Sequence, residues 1–195
     1  MIAVLDNYDS FTYNLVHAIA QMGCPVEVVR NDQAEAMQIM ERAAAIVFSP
    51  GPGLPQEAGC LMQAAEFFSR RKPVLGVCLG MQALALVNGG QLEPCPQPRH
   101  GIPMKIKSVD PSSLWFSFKG HSGQSVGLYH SWRLKSSGNK EPWKITVWDQ
   151  EGVPMAMENP SGTVLGVQFH PESIMTPWGE SWIKQWAVWA GKYPQ

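Results

Sequence analysis

A cysteine between two glycines is the strongest chemical signal in the sequence. Gly76 and Gly80 each stand two residues from Cys78, which separates an apolar stretch from a segment with helical character. This spacing is typical of a nucleophile elbow, a sharp turn that lifts a nucleophile out of a sheet. A helix N-terminus beside the sulfur would also favour the thiolate. The alternative is a small buried cysteine in a glycine-rich turn.

A second signal is the segment His170-Pro171-Glu172, which closely follows the apolar run from Val164 to Gln168. In an extended chain, residues i and i+2 face the same way, so an imidazole and a carboxylate would lie side by side. The carboxylate could then hold the tautomer of the ring while the other ring nitrogen faces a thiol. An ordinary surface turn is the alternative.

The third signal is the segment 49–53, which contains two prolines and two glycines and is therefore neither helix nor sheet interior. Backbone N–H groups at Gly51 and Gly53 could approach a substrate without a Cβ in the way. With the amide of Leu79, Gly51 could form an oxyanion hole for a tetrahedral intermediate. A rigid loop without chemistry is the alternative.

Alternating elements in the first 90 residues position these three signals. Four rounds of strand and helix predict an α/β fold with a doubly wound, mostly parallel sheet flanked by helices. The predicted strands are Ile2–Leu5, Val26–Arg30, Ala45–Phe48 and Pro73–Val77, and the predicted helices cover 11–22, 34–44, 60–70 and 79–87. Ligands bind at the carboxyl ends of such strands, where the loops 6–10 and 49–53 and Cys78 all lie.

The second half of the chain has a different sequence pattern, in which short β-type segments are separated by Pro, Gly and Ser. We expect antiparallel strands over 104–109, 125–129, 143–148, 154–158 and 163–168, added to the same sheet, so that residues 1–195 form one domain. Thr176-Pro177 predicts the start of a final helix. A stripe of tryptophans at helical spacing follows, and we expect it to pack into the core.

The composition argues against several classes of protein. Fifteen basic and 16 acidic residues leave a net charge near −1, so the chain has no electrostatic footprint for nucleic acid or an anionic membrane. No apolar run approaches the ~20 residues that span a bilayer, and the N-terminus does not read as a signal peptide. The cysteines form no C-x-x-C pair, which predicts a reducing cytoplasm and no metal. Without a glycine-rich nucleotide motif, we expect no cofactor.

Five separated motifs then occur in the order typical of class I, triad-type glutamine amidotransferases. They are Asp6-Asn-Tyr-Asp-Ser-Phe11, 49–53, 76–80 with Gln82, Tyr129-His-Ser131 and 166–173. Over residues 1 to about 175, the sequence most resembles the small subunits of anthranilate synthase and 4-amino-4-deoxychorismate synthase. The resemblance implies the flavodoxin-like fold of that family.

The resemblance also implies roles for individual residues. Cys78 would attack the side-chain amide of L-glutamine, His170 would pass a proton to departing ammonia, and Glu172 would orient His170. The amides of Gly51 and Leu79 would stabilise each oxyanion. The residues that would hold glutamine are Gly51, Pro52, Gly53, Gln82, Tyr129, Ser131 and Trp132.

A partner is implied as well. In the family that the sequence resembles, the ammonia passes to a larger synthase subunit that binds chorismate, for the tryptophan or the folate pathway. The choice between anthranilate and aminodeoxychorismate stays open, because the product is made on the other chain. Two further functions stay open: a stand-alone cysteine hydrolase of γ-glutamyl compounds, and a non-catalytic regulatory or binding subunit.

Four positions depart from the family pattern: Met81, Ile102, Leu128 and Trp132. None belongs to the triad, so we expect the chemistry to survive and the partner interface or activation to differ. Ile102 and Leu128 are apolar where the family usually has a basic residue, which favours a changed partner. Among the remaining histidines only His130 is a candidate support residue, with a structural histidine as the alternative. No function is assigned to His17, His100 or His121.

Overall fold

The computed structural model describes residues 1–116, 120–135 and 143–192. Within these ranges the strands are β1 (Ile2–Asp6), β2 (Val26–Arg30), β3 (Ala45–Phe48), β4 (Val74–Val77), β5 (Leu92–Val109), β6 (Ser125–Leu134), β7 (Lys144–Asp149), β8 (Pro154–Glu158) and β9 (Val164–Val167). The helices are α1 (Thr12–Ala20), α2 (Ala36–Arg42), α3 (Leu61–Phe68), α4 (Leu79–Val87) and α5 (Gly179–Gly191).

The strands form one sheet with the order β2-β1-β3-β4-β9-β8-β7-β5-β6. The first five strands of this order run parallel, and the other pairings are antiparallel. The predicted α/β class is therefore confirmed, with its parallel, doubly wound part and its antiparallel additions from the second half of the chain. No helix in the described ranges is both long enough and apolar enough to span a bilayer.

Helices cover both faces of the parallel part of the sheet. Ile2 and Val4 of β1 pack in a cluster with α1 and α5, whereas Ala3 and Leu5 pack in a second cluster with α2, α3 and α4. Because each of these four residues faces a helix, all four are apolar and almost completely buried.

The tryptophan stripe at α5 packs against the core, with Trp178 and Trp189 only partly buried. Trp182 and Trp186 are almost fully shielded from solvent. Trp115 packs edge-on against Trp182 and Trp189, with ring centroids 6.4 and 5.1 Å apart. The helix therefore closes one face of the sheet with large aromatic surfaces.

The first half of β5 differs from the prediction, which placed a strand only from Met104. The structure begins this strand at Leu92, in a stretch that contains four prolines. From Leu92 to Lys105 the strand pairs with β6 alone, and it joins β7 only from Ile106 onwards. A strand with a free edge tolerates the missing N–H of proline, and the register shifts where the prolines are densest.

The site depends on three neighbouring strands. β3, β4 and β9 are adjacent, and Gly76 of β4 stands in register with Phe48 of β3 and Gly166 of β9. Because the three strands are parallel, their carboxyl ends meet at one edge of the sheet. The segments that follow these ends are 49–53, Cys78 and 168–172, so the three chemical signals of the sequence converge there.

Candidate active site

Cys78 occupies a sharp turn between β4 and α4. Its backbone angles are φ 51° and ψ −103°, a conformation that residues with a side chain rarely adopt. A Cβ at Gly76 would lie 2.5 Å from the backbone carbonyl carbon of Gly80, and one at Gly80 would lie 2.4 Å from the carbonyl oxygen of Phe48. Both glycines are thus required for the backbone to turn this tightly, which is the geometry of a nucleophile elbow.

The thiol lies at the N-terminus of α4, where Cys78 is the N-cap residue. The backbone N–H of Cys78 donates a hydrogen bond of 2.7 Å to the carbonyl of Val167 and thereby ties the elbow to β9. The first backbone N–H groups of a helix lack partners within the helix, and together with the positive end of the helix dipole they favour an anion at this end.

His170 and Glu172 form a buried pair. Nδ1 of His170 lies 2.7 Å from Oε1 of Glu172, and the two side chains are 1% and 0% exposed. Since a carboxylate only accepts, Nδ1 is the donor and Nε2 is left for another partner. The backbone of His170 is held by Gly127, whose carbonyl accepts its N–H, and by the hydroxyl of Thr176, which donates to its carbonyl.

Two opposing effects act on the ring of His170. Burial alone would lower its pKa, but the neighbouring Cys78 sulfur and the Glu172 carboxylate outweigh this and hold the pKa of His170 well above its ordinary value. Nε2 is buried and makes no hydrogen bond of standard geometry within the described ranges. The raised pKa favours a protonated imidazole at His170 and leaves Nε2 available for proton transfer.

Two aromatic rings enclose the imidazole. The ring centroids of Phe11 and Tyr129 lie 5.5 and 4.8 Å from that of His170. Tyr129 does not direct its hydroxyl towards the thiol, because that group lies 3.0 Å from the hydroxyl of Ser173. The loop after β1 thus contributes Phe11 to the wall of the site.

The segment 49–53 packs against the loop after β1. A Cβ at Gly51 would lie 2.6 Å from Cβ of Asn7 and 2.7 Å from a methyl carbon of Leu79. Glycine is therefore required at this position, and its backbone lies next to the first residue of α4. The proposed oxyanion donors, Gly51 and Leu79, are neighbours in space, and their role in catalysis stays a prediction.

A cavity of about 260 Å³ opens beside Cys78. Its wall contains every residue that the resemblance assigned to glutamine binding: Gly51, Pro52, Gly53, Gln82, Tyr129, Ser131 and Trp132. Leu79, His100 and His130 complete the wall. The structure thus brings the predicted site residues together around one cavity, with the His170–Glu172 pair beside the thiol.

Two residues at the site were not predicted from the sequence. Nε2 of His100 lies 3.0 Å from the hydroxyl of Ser131, and Nε2 of Gln168 lies 3.6 Å from the sulfur of Cys78. His100 reaches the cavity through the proline-containing part of β5, which the sequence analysis did not identify as a strand. Gln168 stands two residues before His170, and this i, i+2 relation was the signal that could have revealed it.

The four departures from the family pattern occupy different environments. Met81 is fully buried and packs against Gly166, and Leu128 is buried in the core. The side chain of Leu128 is therefore not on the surface, and the expected change of partner or activation stays a prediction. Ile102, its cross-strand neighbour on β5, is 42% exposed. Trp132 lies in the wall of the cavity.

The sequence profile of the family "Glutamine amidotransferase class-I" matches residues 3–189. The chain therefore belongs to the class I glutamine amidotransferase family.

Among its relatives is a pyocyanine-specific anthranilate synthase component 2 of Pseudomonas aeruginosa, 40% identical over 194 residues that cover 97% of this chain and 94% of the relative. The anthranilate synthase component 2 of Lactococcus lactis is 38% identical, with 94% of this chain and 92% of the relative covered. The aminodeoxychorismate/anthranilate synthase component 2 of Bacillus subtilis is 37% identical, and the match covers 94% of both chains.

A solved structure has the same fold. It is a protein of Thermoplasma acidophilum, provisionally named as part of a GMP synthase, with a TM-score of 0.84 over 98% of this chain and 94% of that chain. At 21% identity this likeness concerns the fold alone.

Proposed function

We propose that this chain is the glutaminase subunit of a chorismate-using synthase and supplies ammonia for the synthesis of anthranilate or 4-amino-4-deoxychorismate. The observation that carries the proposal is the position of Cys78 in a positive-φ elbow, beside the buried His170–Glu172 pair and a cavity. The names of relatives that match over nearly the full length of both chains support the choice of synthase.

The first half of the reaction forms a thioester. The sulfur anion of Cys78 attacks the side-chain carbonyl carbon of L-glutamine, and the electron pair of the C=O bond moves to oxygen. The amides of Gly51 and Leu79 donate hydrogen bonds to that oxyanion. When the C–N bond breaks, Nε2 of His170 gives its proton to the departing –NH₂ group, which leaves as NH₃.

The second half restores the enzyme. Nε2 of His170, now neutral, accepts a proton from water as the water oxygen attacks the thioester carbonyl. The C–S bond breaks, glutamate leaves, and the sulfur returns to its anionic form beside the imidazolium. Throughout, the hydrogen bond from Nδ1 to Glu172 keeps the ring in one tautomer and stabilises its positive charge.

Coupling to a synthase has a chemical reason. Ammonia released into neutral water is mostly protonated and no longer nucleophilic, whereas a closed path between two sites would keep it neutral. An isolated subunit of this kind would waste glutamine if it were fully active. We therefore infer that the chain hydrolyses glutamine slowly alone and faster with its partner. The four cysteines are free thiols, which supports a reducing, cytoplasmic location.

The test combines the purified chain with its natural synthase partner and chorismate. Cys78→Ser should abolish glutamine-dependent product formation and leave ammonia-dependent synthesis intact, since only the amide hydrolysis needs the thiol. Cys24→Ser, at a free cysteine that contacts α5, should retain both activities. Mass spectrometry of the aromatic product distinguishes anthranilate from aminodeoxychorismate.

Two outcomes would contradict parts of the proposal. If the Cys78→Ser variant still uses glutamine, Cys78 is not the nucleophile and the proposed triad mechanism is wrong. Equal rates of glutamine hydrolysis with and without the synthase would contradict activation by the partner and favour a stand-alone γ-glutamyl hydrolase.

A further inference from the structure

A chain of side-chain amides connects the wall of the cavity to the nucleophile. Nε2 of Gln82 lies 2.9 Å from the backbone carbonyl oxygen of Trp132 and 3.2 Å from Oε1 of Gln168. Nε2 of Gln168 in turn lies 3.6 Å from the sulfur of Cys78. Both glutamine side chains are buried, at 3% and 0% exposure.

The direction of these hydrogen bonds follows from the Trp132 carbonyl, which can only accept. The atom of Gln82 that faces it must therefore be the nitrogen, whose second hydrogen points to Gln168. The atom of Gln168 that receives this hydrogen must be the oxygen, so its NH₂ group faces the sulfur. A flip of either amide would place two acceptors or two donors against each other.

His130 strengthens the anchor of this chain. Its Nδ1 lies 2.9 Å from the same Trp132 carbonyl oxygen, so Nδ1 carries a proton. Burial lowers the pKa of His130 to about 4, which leaves the ring neutral at neutral pH without loss of that donor. The carbonyl thus accepts two hydrogen bonds. Because it belongs to the backbone, the unusual side chain of Trp132 does not affect it.

On the basis of the proposed glutaminase function of Cys78, we propose that Gln168 is a catalytic residue that donates a hydrogen bond to the nucleophilic sulfur, and that Gln82 is the positioning residue that orients it. The donor favours the thiolate before attack and stabilises the sulfur again when it leaves the thioester. Gln82 would thus act on the sulfur from the same place in which it lines the glutamine cavity.

Other groups near the sulfur also influence its ionisation. His170 faces the thiol, Glu172 acts through His170, and Cys95 interacts with Cys78 electrostatically. The amide of Gln168 does not titrate. A hydrogen bond from Gln168 would therefore shift the midpoint of the Cys78 alkylation profile, and it would not add a second transition to that profile.

The experiment measures alkylation of the full-length chain by iodoacetamide as a function of pH, without glutamine, with Cys78 resolved from the other three cysteines by peptide mass spectrometry. The variants are Gln168→Met, Gln82→Met and the double variant, since methionine has a similar length but no N–H. Gln38→Met, an exposed glutamine on α2, is the matched control.

Gln168→Met should raise the midpoint of the Cys78 profile by about one pH unit and slow alkylation about tenfold below it, the effect of losing a hydrogen bond to an anion. Gln82→Met should shift the midpoint in the same direction, and the double variant no further than Gln168→Met. The control should match the wild type. A Gln168→Met profile that superimposes on that of the wild type would overturn the inference.

A measurement on the wild type guards against a misfolded variant. The side-chain amide resonance of Gln168 in ¹⁵N-labelled protein should shift with the same midpoint as Cys78 alkylation, and a resonance that does not respond would overturn the inference. If Cys78 in the wild type is not alkylated faster than the other cysteines, the proposed glutaminase function fails too. If Cys78 reacts normally and Gln168→Met has no effect, the proposed roles of Gln168 and Gln82 are wrong, while the proposed glutaminase function stands.

Discussion

Asn7 is bound to Ser49 by two buried hydrogen bonds of 2.8 Å. The backbone N–H of Asn7 donates to the hydroxyl of Ser49, and its side-chain amide donates to the carbonyl of Ser49. Asn31 donates a third hydrogen bond, of 3.1 Å, to Oδ1 of Asn7. The loop after β1 therefore holds the start of the segment that carries Gly51.

Asn7→Ala should weaken catalysis more than binding. Loss of both side-chain contacts would let the segment around Gly51 shift, and a displaced oxyanion donor should lower kcat for glutamine hydrolysis about tenfold to hundredfold. Steady-state kinetics of the complex with its synthase checks this, with Asn14→Ala, an exposed site on α1, as the control. A lowered melting temperature with unchanged kcat would show that Asn7 only stabilises the fold.

Glu172→Gln should lower kcat by about a hundredfold or more, because general acid–base catalysis depends on the proton affinity and tautomer of His170. Without the carboxylate the pKa of His170 falls, since one of the groups that raise it is lost. The pH profile of kcat and NMR titration of the His170 ring check both effects. An unchanged His170 titration would contradict the assigned orientation.

The same substitution should change how stability depends on pH. The pKa of His170 is raised in the folded state, so the stabilisation is fully present below the unfolded value near ~6.5 and is lost as pH rises through the folded value. Urea unfolding should therefore show the largest difference between wild type and Glu172→Gln at mildly acidic pH. A difference that grows towards alkaline pH would have the wrong sign.

Gly80→Ala should destabilise the protein and damage the elbow. Its Cβ would lie 2.4 Å from the backbone oxygen of Phe48, an atom that cannot move without breaking the sheet, and overpacking of this kind costs about 1–3 kcal/mol. In α5, a Cβ at Gly191 would meet, among the residues that the structure describes, only the sulfur of Cys24, at 3.6 Å. Gly191→Ala should be neutral or stabilising by up to about 1 kcal/mol. Urea unfolding of both variants tests the contrast, and equal effects would contradict it.

His130 should contribute to acid denaturation. Its pKa is about 4 in the folded protein, below the unfolded value, so protons bind the unfolded chain first as the pH falls below ~6.5. Between pH 7 and pH 4 the wild type should lose up to about 3 kcal/mol more stability than His130→Gln, which does not titrate. His17→Gln, an exposed site on α1, is the control. Parallel stability curves for wild type and His130→Gln would contradict the buried, neutral state.

Much of the fold followed from the sequence, because most strands are short, largely apolar or β-branched segments between turn residues. Val26–Arg30, Ala45–Phe48 and Pro154–Glu158 form strands with the predicted bounds. The first half of β5 was not predicted, since its prolines argue against a strand unless one edge is free. Whether an edge is free depends on sheet order, which no local pattern contains.

The sequence by itself determined the candidate nucleophile and its histidine–carboxylate couple. Their geometry is set by neighbours along the chain: two glycines around Cys78, and the two-residue step from His170 to Glu172. Only the tertiary structure decided that Gln168 meets a sulfur 90 residues away and that Leu128 faces the core. Such contacts depend on the order and register of strands distant in sequence, and these are fixed when the whole sheet buries both of its faces.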